Sequence, residues 1–315
     1  MLIDTRTLPK DEQTYLELRG LYEAAGYSPY KMRRFEEYSL YLDNRNFLGG
    51  GSVLTFQGLG GKLLALKPDV TLGIAKNARL DGDKPVKVYY RESVYRADRG
   101  GAEFKEINQM GLEYMGKGDG GEDPAICELA LRSLAAIDEK FVFAVSHMGL
   151  VSALIESAGV ATSAGKKAVM DCIRAKNAHD IAEAGGISAE AAERLASALV
   201  RGDTQFPSAL ARVGKVADND AAKQAVKELE ALYDRLSATK YGGNVRLDFS
   251  ILNAVDYYNG IIFQGFVERV PKAILSGGRY DGLLAKRGEG YEAMGFALYL
   301  DELNACYPTV QEVAK

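Results

Sequence analysis

The sequence predicts a mixed α/β protein of the α+β kind, and three observations support this prediction. A long alternating segment at residues 86–116 is typical of a hairpin of two extended strands. Shorter apolar runs elsewhere predict further strands, whereas alanine- and charge-rich runs predict helices. The length of 315 residues fits one large α/β unit, or one large and one small domain.

The predicted hairpin carries polar residues on one face of its return strand. Residues 86–96 and 107–115 alternate with a two-residue period on either side of a polar, glycine-containing loop at 97–102. Gln109 and Glu113 therefore point the same way, about 13–14 Å apart along the strand, and we expect Gly111 to leave open floor between them. This face suits a small polar ligand with an amino group. The alternation by itself favours the alternative, an ordinary solvated sheet face.

The composition disfavours several classes of protein. A net charge of −4 and a pI near 5.5 argue against a protein that mainly grips nucleic-acid phosphates. The cysteines (Cys127, Cys172 and Cys306) lie far apart and only two histidines are present, which provides neither a disulfide framework nor a zinc set. No segment approaches the about 18 apolar residues of a membrane helix. We expect a cytoplasmic protein without a metal, a cofactor or a membrane partner.

Before the hairpin, the chain predicts a helix, a tyrosine-rich segment and two short strands. Residues 9–25 carry an apolar stripe, and Gly26 is a suitable helix stop. Residues 27–47 form either a dimer-contact strand and helix or a surface segment. Residues 53–56 and 62–66 predict short strands joined by a glycine-containing loop.

A helix is predicted to begin at the sequence LKPDVT, residues 66–71, and to run towards residue 78. Asp69 and Thr71 lie in its first turn, where exposed N–H groups favour acidic and hydroxyl side chains. These residues alone leave two interpretations open, which are helix capping and a ligand site.

The rest of the chain predicts a mainly helical segment followed by a return to strands. Residues 124–137 and 149–157 predict helices around a buried strand at 141–145, and residues 164–236 predict a helical module. His147 is a possible site residue, although a single histidine without partners is more often structural. Further strands are predicted at 245–249, 261–266 and from 293. We divide the chain into a core of residues 1–118 and 241–315 and a mainly helical part at 119–240.

Several of these segments together resemble the catalytic domain of histidyl-tRNA synthetase, a class II aminoacyl-tRNA synthetase. The similar segments are LKPDVT (66–71), VYR (94–96), QMGLE (109–113), VDYYNG (255–260), GGRYDG (277–282) and GFAL (295–298). The resemblance spans about residues 9–303 and implies an antiparallel sheet flanked by helices, with a helical insertion. It also implies that the anticodon-binding domain is missing, because the sequence ends shortly after the last segment.

The resemblance implies a histidine-binding site. The positions matching the family's histidine-binding residues are Asp69, Thr71, Gln109, Glu113, Tyr257, Tyr258 and Tyr280. By similarity, the first four hold the amino group and carboxylate region of histidine. The tyrosines form the imidazole pocket, since each offers a flat apolar wall with a hydrogen-bonding tip. Arg96 matches an arginine on the nucleotide side and is a possible residual contact there.

The sequence departs from the synthetases where these enzymes handle ATP. Asn253 stands in place of a catalytic arginine, and Glu103 replaces an arginine in the loop of the second motif. In the third motif, Tyr299 replaces a glycine and Glu302 replaces the arginine that clamps the phosphates. A carboxylate at this position repels the triphosphate of ATP, and it cannot stabilise the phosphate charges as an arginine does. The resemblance therefore implies a histidine sensor that no longer activates histidine.

Relatives with this profile form the family of regulatory subunits of ATP phosphoribosyltransferase. By resemblance, the chain is a homodimer that assembles with the short catalytic subunit into a hetero-octamer, activates it and confers feedback inhibition by histidine. Histidine then binds either in the synthetase-like pocket or at the subunit interface. An alternative is a truncated synthetase-like ligase that activates histidine or another amino acid for a non-tRNA acceptor. A third interpretation, a tRNA-binding scaffold, agrees poorly with the net negative charge of the chain.

Overall fold

The structure, a computed structural model, describes residues 5–48, 52–80, 84–97, 103–118, 121–252, 258–288 and 290–307. The strands in these ranges are β1 (Ser28–Pro29), β2 (Phe35–Glu37), β3 (Thr55–Gln57), β4 (Leu63–Leu66), β5 (Val86–Ala97), β6 (Phe104–Lys117), β7 (Phe141–His147), β8 (Val245–Leu247), β9 (Ile261–Val267), β10 (Leu275–Arg279) and β11 (Tyr291–Tyr299). The helices are α1 (Lys10–Ala24), α2 (Ser39–Leu42), α3 (Thr71–Asn77), α4 (Asp123–Ile137), α5 (Met148–Ser157), α6 (Ser163–Arg174), α7 (Ile181–Gly185), α8 (Ala189–Leu195), α9 (Phe206–Gly214), α10 (Asp220–Ser237) and α11 (Asp301–Cys306).

Most of the described strands form one large sheet. Its order is β1-β5-β6-β11-β10-β9-β7-β8, and neighbours run antiparallel except for the outer pairs β1–β5 and β7–β8. Strands β2, β4 and β3 form a separate small antiparallel sheet. The mixed α/β fold with a mainly antiparallel sheet is confirmed.

The predicted hairpin is the longest pairing of the large sheet. Strands β5 and β6 pair from Val86 opposite Met115 to Ala97 opposite Phe104, and most of the predicted loop, residues 98–102, lies outside the described residues. Strand β11 continues the pairing on the far side of β6, from Tyr291 opposite Lys117 to Tyr299 opposite Gln109. Three long strands therefore lie side by side, and alternate residues of each face the same side.

The two faces of the large sheet carry different cores. On one face, α4 packs against the sheet, so that Leu134 fills the space over Gly265 next to Phe263 and Phe296. On the other face, a smaller core gathers residues of α3, β5 and β11, including Ile74 and Val94. The candidate site described below lies on the same sheet face as the smaller core.

The chain between residues 119 and 240 is mainly helical but contributes to the large sheet. Strand β7 lies within that sheet between β9 and β8, and α10 packs on α4, α5 and α9. His147 caps α5, since its Nδ1 accepts from the Leu150 N–H at 3.1 Å while Nε2 donates to Glu228 at 2.9 Å. This supports the structural interpretation of His147. The division of the chain at residues 118 and 240 stays a prediction. Within the described ranges, no helix is long and apolar enough to cross a bilayer.

Candidate ligand-binding site

A cavity of about 160 Å³ opens on the sheet face opposite α4. Its lining includes the predicted site residues Asp69, Thr71, Gln109, Glu113, Tyr258 and Tyr280, together with Arg96. Residues from α3, β5, β6 and β10 thus converge on one pocket although they are far apart in the sequence. Tyr257 and Asn253 lie outside the described residues.

Strand β6 places Gln109 and Glu113 on one face, as the alternation predicts. The expectation that Gly111 leaves open space between them is wrong. Tyr90 of β5 lies directly opposite Gly111 in the register and points to the same face. A Cβ atom at Gly111 would lie only 2.6 Å from the Tyr90 hydroxyl. The glycine therefore makes room for a neighbouring tyrosine ring, and Tyr90 becomes part of the pocket lining.

Glu113 is the most unusual group in the pocket. The residue is only 2% exposed. Its carboxylate accepts a hydrogen bond from Thr71 Oγ1 at 2.6 Å and another from the Tyr280 hydroxyl group. Among the described residues, no lysine, arginine or histidine forms an ion pair with it. Burial raises the pKa of Glu113 to about 8, although both hydroxyl donors act in the opposite direction. The pocket thus holds a buried carboxyl group without a cation of its own.

A glycine on β11 makes the buried position of Glu113 possible. Gly295 lies opposite Glu113 in the register. A Cβ atom at Gly295 would overlap the Glu113 carboxylate and the Leu112 carbonyl oxygen. Any larger residue at 295 would therefore push the carboxylate out of its present place.

Asp69 caps the first turn of α3 and also lines the pocket, so the capping interpretation is supported and a role in ligand binding stays a prediction. Its Oδ1 accepts from the Leu72 N–H at 2.9 Å, and its Oδ2 lies 3.4 Å from Arg96 Nη2. Arg96 is held in turn by a hydrogen bond from its Nε to the Pro68 carbonyl at 2.7 Å. Burial raises the pKa of Asp69, and the nearby Arg96 opposes this rise.

Aromatic rings form the wall beside Glu113. The Tyr258 and Tyr280 rings meet edge to face at 6.4 Å, and Phe47 packs edge to face on Tyr280 at 6.3 Å. Sequence reasoning missed Phe47 and Tyr90. Phe47 lies in a tyrosine-rich segment where no motif distinguishes one ring from the others. The alternation of β5 indicates the face on which Tyr90 lies, but its position opposite Gly111 depends on the register of the hairpin, which the alternation does not give.

The residues that replace the family's nucleotide-handling groups lie in three different settings. Tyr299 lines the pocket. Glu302 forms an ion pair with Lys272 at 2.7 Å and is not among the lining residues. Glu103 is exposed at the start of β6, also outside the lining. Of these changes, only the tyrosine acts directly on the cavity.

A larger cavity, of about 760 Å³, lies on the opposite sheet face beside α4 and α10. Its central cation, Arg279, pairs with Asp123 at 3.1 Å, Asp281 at 2.8 Å and Glu292 at 2.6 Å. Each of these three carboxylates already has Arg279 as a cation partner, whereas Glu113 has none among the described residues. The smaller cavity therefore holds the carboxyl group that a cationic ligand would complete, and it is the candidate site.

The mainly antiparallel sheet, with its ligand pocket over three long central strands, defines a class II aminoacyl-tRNA synthetase-like fold. More narrowly, the family profile of histidyl-tRNA synthetase matches residues 6–303, and the chain belongs to that family.

Individual relatives agree with this assignment. An ATP phosphoribosyltransferase regulatory subunit of Symbiobacterium thermophilum is 35% identical over 77% of this chain, which spans 62% of the length of that relative. A crystal structure from Bacillus halodurans, described as an ATP phosphoribosyltransferase regulatory subunit/histidyl-tRNA synthetase, has a TM-score of 0.81 at 24% identity and covers 97% of this chain and 81% of its own. A chain from the ATP phosphoribosyl transferase (HisG:HisZ) complex of Thermotoga maritima has a TM-score of 0.70 at 16% identity. The match covers 92% of this chain and 97% of the Thermotoga chain. At these identities, the two structures establish the fold.

Proposed function

We propose that this chain is a regulatory subunit of ATP phosphoribosyltransferase that binds free histidine in the pocket around Glu113. The observation that carries the proposal is a buried carboxyl group whose partners, among the described residues, are two hydroxyl donors. Such a group is satisfied best by a ligand that brings its own positively charged or N–H donor. The names of the relatives point to the same assignment.

The charges of the pocket support a zwitterionic amino acid as the ligand. Glu113 and Asp69 favour nitrogen-bound protons, whereas Arg96 favours a carboxylate. The rings of Tyr258 and Tyr280 offer a flat wall to an aromatic ring such as imidazole. A volume of about 160 Å³ is below the about 300–1,000 Å³ of typical pockets for larger ligands. A single amino acid therefore suits the cavity better than a nucleotide.

The proposal includes the loss of synthetase activity. Tyr299 occupies space at the pocket, and Glu302 puts an anion where the family has an arginine. An electrostatic clamp on the phosphates is worth several kcal/mol of transition-state stabilisation in such enzymes, on the order of 3 kcal/mol for each lost donor. With these donors absent, binding of histidine remains while its activation is lost.

The proposed assembly is a homodimer of this chain within a hetero-octamer with the short catalytic subunit, in the cytoplasm. Histidine then acts as the feedback inhibitor because it stabilises the less active state of the complex. A differential affinity worth about 1–3 kcal/mol between the two states is enough for useful control.

Reconstitution with the short catalytic subunit tests this proposal. We expect the catalytic subunit to gain activity when this chain is added and to lose it when histidine is added. The Glu113→Gln complex should keep its activity but respond to histidine only at concentrations about ten- to a hundredfold higher. Arg91→Ala is the matched control, since Arg91 is on the same hairpin but pairs with Asp11 outside the pocket.

Two results would contradict different parts of the proposal. Failure of the chain to activate the catalytic subunit would exclude the regulatory role. Activation that histidine does not affect would exclude only the feedback role of the pocket.

A second function, a ligase that activates an amino acid, is favoured by one observation. Arg96 lies in the pocket lining with a partly exposed side chain, as a residual nucleotide contact requires. Pyrophosphate exchange in the presence of ATP and histidine distinguishes the two functions. Exchange that is abolished by Arg96→Ala would favour the ligase, and no exchange is expected for the regulatory subunit.

A further inference from the structure

Tyr299 lies at the outer end of the Glu113 pocket. On β11, Gly295, Ala297 and Tyr299 face the pocket in a row, with Tyr299 opposite Gln109. Two very small residues are thus followed by a large ring. At the inner end, Gly295 is buried beside Glu113, whereas Ala297 and Tyr299 are half-exposed. The pocket is therefore deep at Glu113, and Tyr299 lies at its solvent-facing end.

The charges indicate how a bound amino acid is oriented between these two ends. Its carboxylate would be repelled by the buried carboxyl group of Glu113 once that group ionises. Arg96 provides the attractive partner, since it lines the pocket and its side chain is 40% exposed. The carboxylate of the ligand therefore points outwards, towards Arg96 and Tyr299. Whatever is attached to that carboxylate must pass Tyr299.

We propose that Tyr299 closes the outer end of the pocket, so that it accepts an amino acid with a free carboxylate and rejects one whose carboxylate carries a larger group. The excluded class includes acyl adenylates and bulky esters. This inference rests on the proposed function, because it identifies the chemical form in which the effector binds. It also gives the ring of Tyr299 a specific role, since the exclusion is steric and does not need the hydroxyl group.

The size of the cavity agrees with a closed outer end. The described pocket encloses about 160 Å³ with Tyr299 in place. A nucleotide joined to the ligand would need a pocket in the range of about 300–1,000 Å³. Forcing extra groups into a packed site typically costs about 1–3 kcal/mol, which corresponds to roughly a five- to 150-fold loss of affinity.

The test is calorimetric titration of the full chain with free histidine and with the non-hydrolysable sulfamoyl analogue of histidyl-adenylate. The wild type should bind the analogue at least about tenfold more weakly than histidine. Tyr299→Gly should gain at least about tenfold in affinity for the analogue, whereas Tyr299→Phe should reject it as the wild type does. Tyr95→Gly is the matched control, because it removes another partly exposed strand tyrosine that lies outside this pocket.

The outcomes separate this inference from the proposed function. Wild-type protein that binds the analogue as tightly as histidine would overturn the role of Tyr299, as would a folded Tyr299→Gly protein without any gain. Should Tyr299→Gly unfold, Tyr299→Ala carries the same expectation, and thermal unfolding confirms which variant is folded. If the wild type binds no histidine while Tyr299→Gly binds the analogue, the effector assignment fails but closure by Tyr299 stands.

Discussion

Two buried glutamates on the same hairpin, Glu92 and Glu113, differ in what neutralises them. Glu92, which is 6% exposed, accepts from the Met32 N–H at 3.0 Å and pairs with Lys67 and, at 3.2 Å, with Lys31. For Glu113, which is 2% exposed, the partners within the described ranges are the hydroxyl groups of Thr71 and Tyr280. Both side chains lie on the same face of the large sheet.

Under the proposed function, the difference separates a structural carboxylate from one that binds a ligand. A buried charge with its own cation and backbone donor is complete in the folded chain. Burial raises the pKa of Glu113 to about 8, and a cation beside it would lower that pKa. The lysines explain the burial of Glu92, whereas under the proposed function a cationic ligand explains that of Glu113.

The largest expected effect on stability comes from removing Lys67, the buried cation partner of Glu92. Lys67→Met leaves the Glu92 charge buried next to Lys31 alone, whose side chain is 84% exposed. Breaking a buried ion pair in this way should lower the free energy of unfolding by about 3–5 kcal/mol. Denaturant titration measures the loss.

Two control variants sharpen the Lys67 prediction. Lys31→Met should lose less than about 1 kcal/mol, because that lysine is exposed. The double variant Lys67→Met/Glu92→Met should recover most of the loss, since it leaves no unpaired charge. If Lys67→Met and Lys31→Met lose equally little, Glu92 does not depend on a buried cation.

The pH dependence of stability should be the next largest effect, and it concerns Glu113. Its pKa is about 8 in the folded chain and about 4.3 in an unfolded one, so the folded state binds the proton more tightly. The free energy of unfolding therefore falls as the pH rises from about 5 through 8. Glu113→Gln removes this contribution, and it should gain about 2–4 kcal/mol relative to wild type over that range. A difference between the two proteins that does not change with pH would contradict the unpaired state of Glu113.

The smallest effect should come from the hydroxyl donors. Thr71→Val and Tyr280→Phe each remove one hydrogen bond to Glu113, and each should lose about 1–2 kcal/mol above pH 8, where the acceptor is charged. The loss should shrink at pH 6, where Glu113 is protonated. Tyr291→Phe is the control, because its hydroxyl donates to the neutral Leu80 carbonyl and its effect should not vary with pH.

Much of the fold follows from local patterns in the sequence. The alternation at residues 86–116 predicted β5 and β6, and the Asp69–Thr71 turn predicted the start of α3, because strand period and helix capping depend on near neighbours. The order of strands in the large sheet was beyond such reasoning. Strand β7 enters the sheet between β9 and β8 through pairings with residues about 100 positions away, which no local pattern encodes.

The candidate site, like the fold, could be predicted from the sequence only in part. Resemblance to the family brought Asp69, Gln109 and Glu113 together, and the structure places them in one cavity. The cover of Gly111 by Tyr90 and the packing of Phe47 on Tyr280 depend on tertiary contacts, so the sequence did not reveal them. The binding roles of the predicted residues stay predictions.

The most direct test of the central claim is calorimetric titration of histidine into the wild type, Glu113→Gln and Glu92→Gln at one pH near 7. If Glu113 binds the ligand and Glu92 has a structural role, Glu113→Gln should bind histidine about ten- to a hundredfold more weakly than the wild type does. Folded Glu92→Gln, although less stable, should bind it with nearly wild-type affinity. Equal affinities for wild type and Glu113→Gln would contradict the account.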